Sequence, residues 1–207
     1  MVPFDLDRRQ TAVLVVDVQV QFADPSGALA VPAATDLLPL LARFLGAVRE
    51  LGVPVLYTEY RQRDRLPPSP VAAALFPAVR DGLAHRGPAA AVHPAVAPAP
   101  GESVIAKPRQ SAFYGTDLES ALRVLGVQTL IICGLTTNVC CLATARDAAA
   151  RDLQVLFLSD LTATLDLPAP DGSVLPAAAV QQMTCAIVAH SIGEVATADA
   201  VLARLAR

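Results

Sequence analysis

Residues 129–141 read Thr-Leu-Ile-Ile-Cys-Gly-Leu-Thr-Thr-Asn-Val-Cys-Cys, and this stretch decides how the rest of the chain is interpreted. Residues 129–133 form an apolar, β-branched run that reads as a strand. Gly134 then permits a tight turn. Thr137 or Asn138 supplies the N-cap of a helix, which continues as an alanine-rich segment over 139–151. Strand, short polar loop and helix in that order make half of a βαβ unit.

Working outward, the same alternation recurs. Upstream, 117–125 reads as an amphipathic helix closed by Gly126, and 102–106 as a short strand. Farther back lie a strand at 53–57 and a helix at 33–51. At 11–18 stands an unbroken apolar run, as expected of a strand covered on both faces. Downstream, 154–159 reads as a strand, 176–190 as a helix, 194–197 as a last short strand and 199–206 as a last helix. Strands alternating with helices of this length predict βαβ crossovers. The expected fold is α/β: a three-layer α/β/α sandwich around a doubly wound, mainly parallel sheet of about six strands. The chain, 1–207, is expected to be one domain. Its irregular stretch, 59–101, is expected to be a variable insertion near the active site, because connections this long are usually functional or partly helical. A short helix is a candidate over 75–83, and the Ala/Pro-biased 88–100 reads as a surface excursion.

Composition narrows the function. Apolar residues make up 54% and charged residues 17% of the chain, against about 25% charged in an average domain, so a large core is expected and disorder is excluded. A net charge of −3 gives no basic footprint for nucleic acid. No run approaches the roughly 18 apolar residues of a membrane span, and no apolar signal-peptide core follows the charged start. A soluble, cytoplasmic protein with a small-molecule substrate, and neither nucleic-acid nor membrane partners, is therefore expected. Cys133, Cys140, Cys141 and Cys185 show no CxxC or metal-ligand spacing, and adjacent Cys140 and Cys141 are a poor disulfide pair. In a reducing cytosol each is either a small buried hydrophobe or a nucleophile.

In an open parallel sheet, ligands bind outside the carboxyl ends of the strands. Those ends carry Asp17, Lys107 and the 134–141 loop. A carboxylate after the first strand would repel a phosphate, and neither GxGxxG nor GxxxxGK[ST] occurs, so the dehydrogenase and NTPase readings fail. Cys140 falls in the first turn of a helix, where the dipole and free N–H groups favour a thiolate and can bind an oxyanion. Lys107 would bias the thiol further toward the anion, and Asp17 can accept its proton.

At this point the sequence resembles the isochorismatase-like cysteine hydrolases. The resemblance is carried by Gly134-Leu135-Thr136-Thr137-Asn138-Val139-Cys140 followed by Ala143 to Ala148, by Leu14 to Gln19, by Lys107 to Thr116, by Leu158-Ser159-Asp160 and by Val195 to Asp199. Together these blocks span nearly the whole chain apart from 59–101. The resemblance implies an isochorismatase-like, Rossmann-like fold and a catalytic triad of Asp17, Lys107 and Cys140. It also implies a cis peptide at Leu135–Thr136 and an oxyanion hole formed by the N–H groups of Thr136 and Cys140. One residue of helix turns about 100°, so Cys140 and Cys141 cannot both face a pocket; the Thr-Asn-x-Cys register selects Cys140.

The expected activity is cleavage of a C–N bond, in an amide or N-carbamoyl compound, through a thioester and without a cofactor. Vinyl-ether hydrolysis of the isochorismatase type and a non-catalytic member of the family are the alternatives. Metal-binding nicotinamidases of this superfamily carry an Asp-x-His pair and a further His after the second strand. Residues 57–64 contain no His, and His85, His93 and His190 are scattered, so no metal is expected. Gln19, Phe22, Phe113, Tyr114 and Gln181 are candidates for substrate contact, as is one of Arg61, Arg63, Arg65, Arg86 or Arg109 for a substrate carboxylate. Arg146 and Asp147 read as structural ion pairs. Members of the family are often dimers or tetramers, so a homo-oligomer is expected.

Overall fold

The computed structural model describes residues 4–61, 71, 74, 83 and 86–207. The candidate helix at 75–83 and the residues Arg63, Arg65 and His85 lie wholly or largely outside them. The elements in chain order are β1 (Thr11–Val16), α1 (Val20–Ala23), α2 (Ala34–Glu50), β2 (Val55–Tyr60), β3 (Ser103–Lys107), α3 (Leu118–Val124) and β4 (Thr129–Leu135). A wide helical turn of π type, Thr137–Cys141, leads into α4 (Leu142–Ala149). There follow β5 (Gln154–Ala163), the two-residue strands β6 (Leu167–Pro168) and β7 (Val174–Leu175), α5 (Ala177–Ser191), β8 (Glu194–Ala196) and α6 (Ala198–Leu205).

Six strands form one sheet in the order β3-β2-β1-β4-β5-β8, with every pairing parallel. The alternation of side chains along each strand (period two) separates the core into two layers. Val13, Val15, Val55, Tyr57, Ile131, Cys133, Leu156 and Leu158 face α2 and α6 on one side. Ala12, Leu14, Val16, Leu56, Leu130, Ile132, Val155 and Phe157 face α3, α4 and α5 on the other. This is why β1 and β4 are buried at every position. Each fully buried Val, Leu or Phe contributes about 1.5–3 kcal/mol relative to exposure.

The winding reverses between β1 and β4, which opens a crevice at their carboxyl ends. Two backbone features shape it. Asp17 has φ +49° and so ends β1 one residue before the carboxylate, cutting short the strand expected to run to 18; Asp is among the few residues that tolerate this left-handed geometry. Gly134 pairs with Val16 and has φ +114°, and a Cβ there would lie 2.1 Å from the Val16 carbonyl oxygen. Only glycine lets β4 approach β1 this closely at the rim of the crevice.

Strand β5 continues past its expected end at 159, after a shift in its register with β4 between Ile132 and Gly134. The polar pair that appeared to stop it serves other purposes. Ser159 donates to the Ala196 carbonyl, and both Asp160 oxygens accept from the Ala198 N–H at 3.0 and 3.1 Å, where a carboxylate suits the start of α6.

Candidate active site

The crevice is a cavity of about 260 Å³ whose polar lining comes from Asp17, Gln110, Thr136, Asn138, Cys140 and Thr164. Four strand ends build it. Asp17 follows β1, Tyr60 ends β2, Lys107 ends β3, and Thr136 to Cys140 follow β4. The Leu135–Thr136 peptide is cis, and the Thr136 carbonyl accepts from the N–H groups of Val139 at 3.2 Å and Cys141 at 3.1 Å. These two bonds tighten the turn that presents Cys140 to the cavity.

Asp17 is held from two directions. The Thr58 hydroxyl donates to Asp17 Oδ1 at 2.6 Å and accepts from the Asp17 N–H at 3.1 Å. Asp17 Oδ2 forms an ion pair with Lys107 Nζ, 2.7 Å away, and is left without a well-aligned hydrogen bond among the described residues. Lys107 is fully buried; its Nζ donates to the carbonyls of Arg109 at 3.0 Å and Gln110 at 2.8 Å and sits 4.7 Å from the centre of the Tyr60 ring. An ammonium can bear such burial because its donors are engaged and an opposite charge adjoins it. The loop supplying those carbonyls is pinned to α4: the Ser111 hydroxyl donates to Asp147 at 2.5 Å, and the Ala112 N–H donates to Thr144 Oγ1 at 3.0 Å.

The electrostatics of the sulfur differ from the sequence expectation. Burial pushes the Cys140 thiol up to about 12, against the downward pull of Lys107 and with an upward push from Asp17. Burial thus opposes the thiolate that the helix end favours. Desolvation of the anion outweighs both the nearby ammonium and the first helical turn. For Lys107, burial alone would lower the pKa, yet Asp17 and Cys140 outweigh it and hold it above 10.5.

These shifts carry a stability consequence. Cys133 and Cys141 are likewise raised above 9.0, chiefly by burial. A group whose folded pKa is raised binds its proton more tightly when folded. Its contribution is therefore complete below the unfolded pKa and is lost as pH climbs toward the folded value. Stability should hold up to about pH 9 and then fall by about 1.4 kcal/mol per pH unit for each buried thiol. Urea unfolding at pH values on either side of 9 measures this, and a midpoint that stays flat well above pH 9 would contradict it.

Of the substrate-contact candidates, the structure brings only Phe22 into the cavity beside Asp17, Thr136 and Cys140. Gln19 is buried as a bracket outside the cavity lining: its Oε1 accepts from the Tyr60 N–H at 2.8 Å and its Nε2 donates to the Ala90 carbonyl at 2.6 Å. Gln181 accepts from the Thr137 hydroxyl at 2.5 Å and donates to Ser159 and Thr162. It braces the nucleophile turn from behind and does not line the cavity. Phe113 is carried into the core under the Arg151 guanidinium by the Ser111 and Ala112 anchors. Tyr114 is 60% exposed and lies outside the cavity, near Arg109. Arg61 pairs with Glu59, and the Arg109 guanidinium donates to the Pro108 carbonyl. Asp147 bonds Ser111, which serves the anchoring of the loop.

Sequence reasoning missed Thr58, Tyr60, Leu29 and the Asn138–Thr164 pair, in which the Thr164 hydroxyl donates to Asn138 Oδ1 at 2.5 Å. Among the described residues no group of three or more His, Cys, Asp or Glu is placed to hold a metal ion, and no helix is long and apolar enough to cross a membrane.

Comparison with known proteins adds an independent line of evidence. The model of the isochorismatase domain matches residues 11–199. The chain is 36% identical over 180 residues to ureidoacrylate amidohydrolase RutB of Methylobacterium radiotolerans, covering 77% of this chain and 69% of that protein. It is 29% identical over 153 residues to maleamate amidohydrolase of Pseudomonas putida, covering 73% and 71%. Among solved structures, a cysteine hydrolase from Pseudomonas syringae pv. phaseolicola superposes with a TM-score of 0.93 at 35% identity, covering 99% of this chain and 96% of that one.

Proposed function

This chain belongs to the isochorismatase family as a cysteine-hydrolase-like member, and we propose that it hydrolyses the C–N bond of a small amide or N-carbamoyl compound through a thioester on Cys140. The observation that carries the reading is the Asp17 Oδ2–Lys107 Nζ pair, 2.7 Å apart and buried, beside a thiol that opens onto the cavity. Three such groups at one strand rim have no packing role, and burying them without use would cost stability.

In the first half-reaction Asp17 takes the Cys140 proton as the sulfur attacks the carbonyl carbon. This transfer is concerted with, or just ahead of, attack. The N–H groups of Thr136 and Cys140 receive the oxyanion; one such donor is typically worth about 10²–10³ in turnover. Collapse breaks the C–N bond, and Asp17 returns the proton to the departing nitrogen. In the second half-reaction Asp17 takes a proton from water, the hydroxide oxygen adds to the thioester, and the sulfur leaves and is reprotonated. Lys107 stays an ammonium throughout and offsets the charge that moves between carboxylate and sulfur. Thr58 fixes the carboxylate plane, so the oxygen facing the lysine is also the one free to take a proton.

The two curated relatives named above are amidohydrolases of ureidoacrylate and maleamate, which supports an amide as the scissile group here. A panel of small amides and N-carbamoyl compounds, assayed for ammonia release with Cys140→Ala as the blank, tests the proposal. Release by the wild-type chain alone is expected; release equal to the blank across the panel, with isochorismate consumed instead, would replace it with vinyl-ether hydrolysis.

A further inference from the structure

The walls of the cavity are apolar: Phe22, Leu29, Leu135, Val139, Leu165 and Leu167 supply most of the surface around Cys140. Among the described residues Asp17 is the sole charged group that lines it, and its charge is negative. Among the described residues, the cations nearest the cavity are already engaged. Lys107 lies fully buried behind Asp17, with its donors on two carbonyls and the carboxylate. Arg61 is turned onto Glu59, and Arg109 onto the Pro108 carbonyl and the Tyr114 ring.

A substrate carboxylate placed here would lose its hydration against leucine and phenylalanine side chains, find no free cation among the described residues, and face the Asp17 carboxylate. A hydrocarbon group placed here would lose only unfavourable hydration. At about 260 Å³ the cavity falls at or just below the lower end of the 300–1,000 Å³ range of ligand pockets, so the acyl group is small. Gln110, Thr136, Asn138 and Thr164 add neutral polar contacts. The Asn138 Oδ1 is held by the Thr164 hydroxyl, which leaves the amide NH₂ as a hydrogen-bond donor.

On the reading that Cys140 is acylated by an amide, we infer that the acyl group this site accepts is uncharged and apolar: an aliphatic or aryl carboxamide without a free carboxylate. This separates the chain from relatives that act on carboxylate-bearing amides such as maleamate. Leu165, 36% exposed at the mouth of the cavity, is the specificity-determining position the geometry points to, since a cation there would face the acyl tail.

The test uses a shape-matched pair, 4-methylpentanamide and succinamate, in which an isopropyl group stands in place of a carboxylate. Ammonia release should give kcat/KM at least about 100-fold higher for the neutral amide, the scale on which a site rejects a charge it cannot pair. Leu165→Arg should raise kcat/KM for succinamate about tenfold or more and lower it for the neutral amide. A binding arm runs in parallel: protection of Cys140 from iodoacetamide, read at that residue by peptide mass spectrometry. The neutral amide should protect and succinamate should not. Equal or better turnover of succinamate, equal protection by both, or protection by neither overturns the inference. Protection by 4-methylpentanamide alone, with no ammonia from either compound, leaves the assignment of the pocket standing and sinks the hydrolysis reading instead.

Discussion

Replacing Cys140 by serine should lower amide turnover by about 10⁴-fold or more, the scale on which a covalent nucleophile is lost from a catalytic unit, while leaving the melting temperature within a few degrees of the parent. The two substituents are nearly the same size, and Cys140 is only partly buried at the cavity wall, so the fold has little reason to respond. The chemistry has every reason. A serine hydroxyl is far more reluctant to ionise than a thiol, and this site already disfavours anions: even the thiol is pushed up to about 12, by burial first. Asp17 alone would have to remove the alcohol proton in a cavity that gives the alkoxide no more solvation than it gives the thiolate. The measurement is single-turnover acylation with a chromogenic amide, alongside thermal unfolding. Retention of more than about a tenth of the parental rate would remove Cys140 from the nucleophile role. A large loss of stability would instead mean that the sulfur is mainly a core atom, and the Cys140→Ala protein would then show the same defect.

Which parts of this site could be read from the chain follows from the range over which each signal acts. The β4 segment was legible because its evidence is local: an apolar run, a glycine where a Cβ would strike Val16, and cap-forming residues just beyond. Asp17 and Lys107 were legible as strand-end residues, since an open parallel sheet delivers its strand ends to one rim. Thr58 was invisible. A threonine inside a strand is an ordinary β-former, and only the parallel pairing of β1 with β2 places its hydroxyl on the Asp17 carboxylate. The surroundings of Gln19 were hidden for the mirror-image reason: a polar side chain two residues from a candidate base reads as a substrate contact, and nothing local shows that both ends of its amide bond the Tyr60 N–H and the Ala90 carbonyl.

The upward push of burial on Cys140 was not legible, because helix-end and lysine effects are visible in sequence, whereas desolvation depends on what the rest of the chain packs around the sulfur. The 139–151 helix begins instead as a π-type turn at Thr137–Cys141, a distinction of one hydrogen-bond register that periodicity does not resolve. The β6–β7 pair has two residues per strand and includes Pro168, too short for any alternation to register. It follows Leu165 and includes Leu167, which helps to wall the cavity.

Lys107→Met should cost both activity and stability, and the two losses should have different remedies. Removing the ammonium leaves Asp17, 2% exposed, with only the neutral Thr58 hydroxyl and Cys140 thiol as side-chain partners among the described residues. Leaving one member of a buried ion pair uncompensated typically costs about 3–5 kcal/mol, or about 6–20 °C in melting temperature for a chain of this size. The alternative outcome for the protein is to protonate Asp17, which lowers the cost but removes the base. Either way turnover should fall by at least about 10²-fold, because the carboxylate is then either mispositioned or neutral. Adding Asp17→Asn to Lys107→Met should restore most of the lost stability, since an amide in place of the carboxylate no longer demands a counter-charge, and should restore none of the activity. Urea unfolding of the parent, both single variants and the double variant closes the cycle; a coupling free energy above about 1.5 kcal/mol is expected for a close, desolvated charge pair. A coupling indistinguishable from zero would mean that the 2.7 Å contact is geometrically close but energetically idle. The lysine would then serve the Arg109 and Gln110 carbonyls of its own loop, and the proposed poise between carboxylate and sulfur would have to come from elsewhere.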